Sequence, residues 1–348
     1  MTANPALGVT LHAIGGLAAA SFYIPYKGVK RWAWEKFWII GGVFSWLIAP
    51  WFFALWLVPG TADILRHSPP SALVWTVVWG IVWGIGGLTF GLTMRYLGIA
   101  LGYAVALGLC AACGTLIPPL YHGTFGDLLH KPSGHIVLAG VGICLLGIAF
   151  SGWAGMSKEH ELSNEQKKAT VKEFRIGLGL FIAIICGVTS AAMAFGIDAG
   201  GPISDRAVAG GAGGYFQVLP IFIPVMLGGF LTNFIWCVIL MVRNRSFVSP
   251  SPSPVVLNVV LCAIAGVTWY FQFFFYGMGT TQMGKFGFSS WSLHMASIII
   301  FSTLWGIALR EWKGTSRKTH TLIAIGLLLL IASMTVVGYG NHQAALGG

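Results

Sequence analysis

Charge is what this sequence lacks most. Of its 348 residues, 20 are Lys or Arg and 10 are Asp or Glu, 9% together, against about 25% in an ordinary globular domain. Too few polar side chains remain to cover a water-facing surface, which excludes the two soluble domains that length alone would suggest. The net charge of +10 invites a nucleic-acid reading, but such a site gathers its basic residues on one surface. Here they fall in short gaps between apolar runs, so nucleic acid is excluded as a partner. Cysteine is sparse too: Cys110, Cys113, Cys144, Cys186, Cys237 and Cys262 all lie inside apolar stretches and read as small packing residues. The Cys110–Cys113 pair has no further His or Cys at ligand spacing, so no metal is expected.

Enzyme signatures are missing as well. His160-Glu161 is not followed by the second histidine of a metalloprotease helix, and there is no phosphate-binding P-loop, no EF-hand, no pair of intramembrane aspartates and no GxSG context. Neither an enzyme nor a cofactor is implied. The opening MTANPALGVT lacks the basic segment of a cleavable signal peptide.

What is present is apolar length: 56% hydrophobic residues and a mean hydropathy of +0.79. A bilayer core takes about 20 apolar residues per helix. Ten runs of that kind stand at 7–26, 37–58, 71–94, 96–120, 135–156, 174–197, 213–241, 255–279, 286–309 and 320–340, predicting an all-α integral membrane protein with ten transmembrane helices. Sixteen of the 20 basic residues fall in the gaps after runs 1, 3, 5, 7 and 9, and only Arg66, Lys131, Arg206 and Lys285 on the other side. Cytoplasmic loops retain Lys and Arg, so both termini are expected outside.

The longest hydrophilic stretch, SKEHELSNEQKKATVKEFR at 157–175, divides the runs five and five. The expected organisation is an N-terminal five-helix repeat at 1–156, a cytoplasmic linker at 157–173 and a C-terminal five-helix repeat at 174–348. An odd number of spans per half inserts the second repeat upside down, the usual plan of a secondary transporter. WGIGGLTFGLTMRYLG at 83–98 lies over WYFQFFFYGMGTTQMG at 269–284 with an offset of 186, matching Trp83 with Trp269, Phe90 with Tyr276 and Gly91 with Gly277.

Polar groups inside a bilayer are costly, at least about 2.5 kcal/mol for a charged one at a helix centre, so the few that occur are candidates for function. They are His12 in run 1, Asn233 in run 7, Gln272 in run 8 and His294 in run 9, with Asp198 closing run 6. Imidazole titrates near neutral pH, making His12 and His294 candidate proton carriers or hydrogen-bond partners of a polar solute. Asp198 is a further coupling candidate, and Asn233 and Gln272 suit either a solute or helix-to-helix bonding. Glu35 and Glu311 sit beside basic clusters and read as interfacial ion-pair members.

Aromatics are the second signal, with 15 Trp, 9 Tyr and 23 Phe. Trp79, Trp83 and Phe90 share one helical face, while Trp269, Gln272, Phe273 and Tyr276 recur at i, i+3, i+4 and i+7, an aromatic wall holding one amide. A sugar ring, apolar on its faces and polar at its edge, suits such a wall, although similar stripes also face lipid or pack helices. Forty-eight glycines allow close helix contacts, and Pro25, Pro50, Pro118, Pro119, Pro220 and Pro224 mark kink points.

Three stretches together resemble the L-rhamnose/proton symporter family of the drug/metabolite transporter superfamily: HAIGGLAAASFYIPYKGVKRWAWEKFW at 12–38, WGIGGLTFGLTMRYLG at 83–98, and WYFQFFFYGMG at 269–279 with SSWSLHM and LREWK beyond it. The resemblance spans nearly the whole chain. It implies uptake of L-rhamnose, a 6-deoxy sugar, with protons across the bacterial cytoplasmic membrane by alternating access. On the residues' own chemistry, the expected cavity has Trp269, Tyr276 and Trp291 stacking the ring and Gln272, His12 and Tyr23 bonding its hydroxyls, with Trp83, Asn233 and His294 as further substrate-binding candidates. MGKFGFSSW at 283–291 holds no acid, so proton coupling would fall to His294 or His12. An exporter or exchanger on the same scaffold, or a sugar sensor without transport, are the competing readings.

Overall fold

A computed structural model describes residues 3–161, 175–248, 252–310 and 312–346. Among them every regular element is helical and no strand occurs. Among the described residues nine helical stretches are long and apolar enough to cross a membrane. Most of the linker expected at 157–173 lies outside the described residues, as does Glu311.

The elements follow the apolar runs closely. Helix α1 is Pro5–Ser21 and α2 is Tyr23–Tyr26, together one span. The second span is α3 (Trp34–Gly42), a π-helical turn (Val43–Ile48) and α4 (Ala49–Leu57). The π turn has a local cause. Pro50 has no N–H to donate to the Trp46 carbonyl and its ring presses on that carbonyl, so the helix widens by a residue ahead of it. After α5 (Thr61–His67) comes α6 (Pro70–Tyr121), then α7 (Phe125–His130) and α8 (Pro132–Glu161). The second half holds α9 (Ile176–Ser190), α10 (Ala192–Ala199), α11 (Gly201–Ala209), α12 (Leu219–Asn244), α13 (Val255–Thr281), a 3-10 turn (Gly284–Ser289), α14 (Ser290–Ala308) and α15 (Arg317–Ala345).

The runs at 71–94 and 96–120 share one continuous helix of 52 residues, α6, whose apolar portions among the described residues are Pro70–Phe90 and Val105–Tyr121. Arg95 and Gly98 weaken a helix without removing any backbone hydrogen bond. Past Pro70, the first prolines that do so are Pro118 and Pro119.

Backbone contacts divide the chain into two compact units, one of Met1–Leu17, Gly86–Ala194 and Gly279–Gly348, the other of Ala18–Ile85 and Phe195–Met278. In the first unit α8 and α15 lie side by side with glycine at the contact: a Cβ on Gly147 would stand 2.8 Å from Leu330 Cγ, and one on Gly326 2.7 Å from Ser151 Oγ. In the second, the start of α6 meets α12 still more closely, a Cβ on Gly228 falling 2.2 Å from the Val77 carbonyl oxygen. The GG pair of VMLGGF is therefore a helix-crossing point, as small residues in membrane bundles commonly are.

Candidate functional site

Buried polar side chains lie in both units, and the candidate residues fall into two groups. In the first unit, Gly16 brings α1 against α14, a Cβ there standing 2.3 Å from Ser297 Cβ. His12 lies one turn from Gly16, and His294 lies one turn from Ser297. The two imidazoles are thereby fully buried, 0% exposed, and near enough to interact electrostatically. His12 is also wedged against backbone, since a Cβ on Gly279 would stand 2.9 Å from its Nε2.

Trp291 joins this group, its ring centroid 6.0 Å from that of His294. The indole N–H is committed: it donates to the Cys110 carbonyl at 3.1 Å. The ring lies over Gly114, where a Cβ would fall 2.4 Å from Nε1. The first half of the CxxC thus serves the packing of α6 on α14, and all six cysteines are free thiols.

In the second unit the polar groups are threaded through aromatics. Asn233 of α12 accepts from Trp38 Nε1 at 3.1 Å and donates to the Gly229 carbonyl at 2.9 Å, so its amide joins helices. Trp38 meets Trp46 edge-on at 6.0 Å, and Trp46 meets Trp83 at 6.3 Å and Trp269 at 5.7 Å. Trp83 and Trp269 lie 5.7 Å apart, and Phe273 continues the wall from Trp269 to Tyr276 at 5.2 and 6.4 Å. Gln272 and Tyr276 are buried on α13. Tyr23 is 42% exposed beside Phe22 and Tyr26.

Trp46 is the residue that sequence reasoning missed. Its Nε1 is buried with no acceptor among the described residues, and an unmade indole hydrogen bond costs about 1–3 kcal/mol. It borders a cavity of about 10 Å³ shared with Tyr26, Trp38, Ser45 and Trp269, room for about one water. The signal available in the sequence was Pro50 four residues on, which sets the π turn, and such bulges cluster at functional sites.

Asp198 is exposed near the end of α10, in the second unit. His12 and His294 belong to the first unit. Glu35 is buried and accepts from two neutral donors, Asn244 Nδ2 at 3.1 Å and Ser246 Oγ at 2.5 Å, in place of the cations expected of an ion pair.

Apolar helices of span length, with imidazoles and amides sequestered between them, define a polytopic membrane protein that keeps polar groups inside its bundles. Such groups mark solute and proton pathways. A family profile described as L-rhamnose-proton symport protein (RhaT) matches residues 1–343. The chain is similar to the L-rhamnose-proton symporter of Mannheimia succiniciproducens, 35% identical over 340 residues, 96% of this chain and 97% of the relative. It is similar in the same way to those of Yersinia pestis and Yersinia pseudotuberculosis, each 36% identical over 96% of this chain and 97% of the relative. The chain belongs to the L-rhamnose-proton symport family, a family of transporters rather than enzymes.

Proposed function

We propose that this protein imports L-rhamnose together with protons across the bacterial cytoplasmic membrane by alternating access, with both termini on the periplasmic side. The observation that carries the reading is the likeness over almost the full length to proteins named L-rhamnose-proton symporters. The buried chemistry agrees with it. Histidine is the side chain that exchanges a proton near neutral pH, and His12 and His294 are the ionisable pair sequestered in the first unit. One of them carries the coupled proton. Asp198, exposed on the second unit, serves at most as an entry group.

Trp83, Trp269 and Tyr276 form the apolar wall for the ring and its C6 methyl, and Gln272 and Tyr23 bond its hydroxyls. Trp46 belongs with them, because its unsatisfied N–H needs an acceptor that a sugar hydroxyl supplies. The cavity beside it, about 10 Å³, is too small for a sugar, so loading requires these rings to part. Asn233 and Trp291, whose polar atoms are already used, hold the walls and touch sugar only with their apolar surfaces.

Two inverted five-helix repeats, at 1–156 and 174–348, remain the arrangement we favour. Shifting 18–85 by the 186-residue offset lands on 204–271, within the partner segment 195–278 of the same unit. Shifting 93–161 likewise gives 279–347, again segments of one unit. Paired segments at one offset are what a duplicated plan produces. The test is uptake of labelled L-rhamnose into proteoliposomes under an inward proton gradient. Accumulation that collapses with an uncoupler supports the assignment, and uptake no greater than in empty vesicles ends it.

A further inference from the structure

Where α14 ends and α15 begins, in the first unit, the surface holds a groove of about 500 Å³ with two kinds of lining. Ile307, Ile323 and Leu327 make an apolar slot along the spans, and Arg310, Lys313 and His320 ring its mouth. Trp312 stands at the junction. Its ring packs on Ile323 and Leu327, Lys158 Nζ lies 4.7 Å from the ring centroid, and its Nε1 is buried with no acceptor among the described residues.

Among the described residues no carboxylate lines the groove. The nearby Glu161 is taken up by Ser316 N, Ser316 Oγ and Thr319 Oγ1, each at 2.6 Å. His320 Nδ1 donates to the Ser316 carbonyl at 3.0 Å, with Thr315 Oγ1 at 3.3 Å, so Nε2 donates to an anion when the ring is an imidazolium. Arg310 is held at φ +58°, a left-handed conformation that L-residues rarely adopt and that the fold keeps at the rim.

A slot that is apolar along the membrane and cationic at its edge matches an amphiphile with an anionic head. We propose that this groove binds an anionic glycerophospholipid, its phosphodiester held by Arg310, Lys313, His320 and the Trp312 N–H, and one acyl chain laid along Ile307, Ile323 and Leu327. A choline or ethanolamine head would bring its own cation against three basic side chains. A free phosphate would leave the apolar slot wet.

The purified full-length protein is mixed, in mild detergent, with phosphatidylglycerol, phosphatidylcholine of the same chains, or inorganic phosphate. Thermal melting and native mass spectrometry are then read. Phosphatidylglycerol is expected to raise Tm and to persist as a single adduct, while the other two do neither. R310Q and K313Q each weaken the adduct about fivefold, near-surface cations being worth about that much apiece. W312F weakens it while keeping the ring, and K313R preserves it, so the test does not depend on R310Q folding. Equal responses to the two lipids, a full response to inorganic phosphate alone, or undiminished binding by both K313Q and W312F would overturn the proposal.

Discussion

The His12 ring lies against the Gly279 backbone so tightly that a Cβ on that glycine would stand 2.9 Å from its Nε2 and Cε1 and 3.1 Å from the Gly8 carbonyl oxygen. Gly279→Ala therefore has to move a fully buried ring or part α1 from α13. Overpacking of this kind costs about 1–3 kcal/mol, so Gly279→Ala is expected to lower Tm by several degrees and slow uptake. Gly279→Val is expected to abolish uptake. Melting curves and rhamnose uptake on the same preparations check both, and a Gly279→Val protein with full activity would show that the ring need not stay where it is.

Trp46 separates binding from stability. Trp46→Phe removes the unpartnered N–H and keeps the ring edge that meets Trp83 and Trp269, so the protein should be as stable as before or slightly more. Rhamnose affinity should fall about fivefold to tenfold, the worth of one hydrogen bond of about 1–1.5 kcal/mol. Titration of sugar by intrinsic fluorescence or calorimetry reads the change. Unaltered affinity would remove Trp46 from the sugar site.

The hydrogen bond from Trp38 Nε1 to Asn233 spans α3 and α12 and is expected to be structural. A double-mutant cycle with Trp38→Phe and Asn233→Leu should give a coupling near 0.6 kcal/mol and below about 1.7 kcal/mol, the range for such bonds inside membranes. Unfolding in mixed micelles measures it, with the two single variants still binding rhamnose.

Much of this architecture is readable from residue order, because a helix in lipid must be apolar for its whole length. The runs at 135–156, 255–279 and 320–340 became Pro132–Glu161, Val255–Thr281 and Arg317–Ala345, extended where charged or polar ends reach the interface. The gap read inside α6 is a different case. Arg95 and Gly98 look like a loop in a hydropathy reading, yet backbone hydrogen bonding carries the helix through them. Burial of His12, Asn233, Gln272 and His294 was legible from their rarity. That Asn233 and Trp291 had spent their polar atoms was not, since Gly229 and Cys110 offer them only backbone carbonyls, which look alike at every position. Trp46 stayed hidden for the converse reason: a missing acceptor is a property of its surroundings, visible only once the helices are packed.

At the other end of α8, Glu161 is tied by hydrogen bonds from Ser316, then Thr319, which hold its carboxyl down from the usual 4.5 to about 2. A depressed carboxyl contributes stability above its ordinary value and loses it as pH falls toward the folded one. Wild type should therefore exceed Glu161→Gln in Tm near neutral pH, by a small margin because the group faces solvent. The gap should close between about pH 4.5 and pH 2. A gap that is constant with pH would assign the effect to shape rather than charge.

The most direct test of proton-coupled rhamnose entry is the external pH of lightly buffered, de-energised vesicles on addition of L-rhamnose. We predict prompt alkalinisation with the unaltered protein, absent in at least one of His12→Ala and His294→Ala although both still bind the sugar. Rhamnose entry without any pH change, or alkalinisation preserved in both variants, would contradict the account.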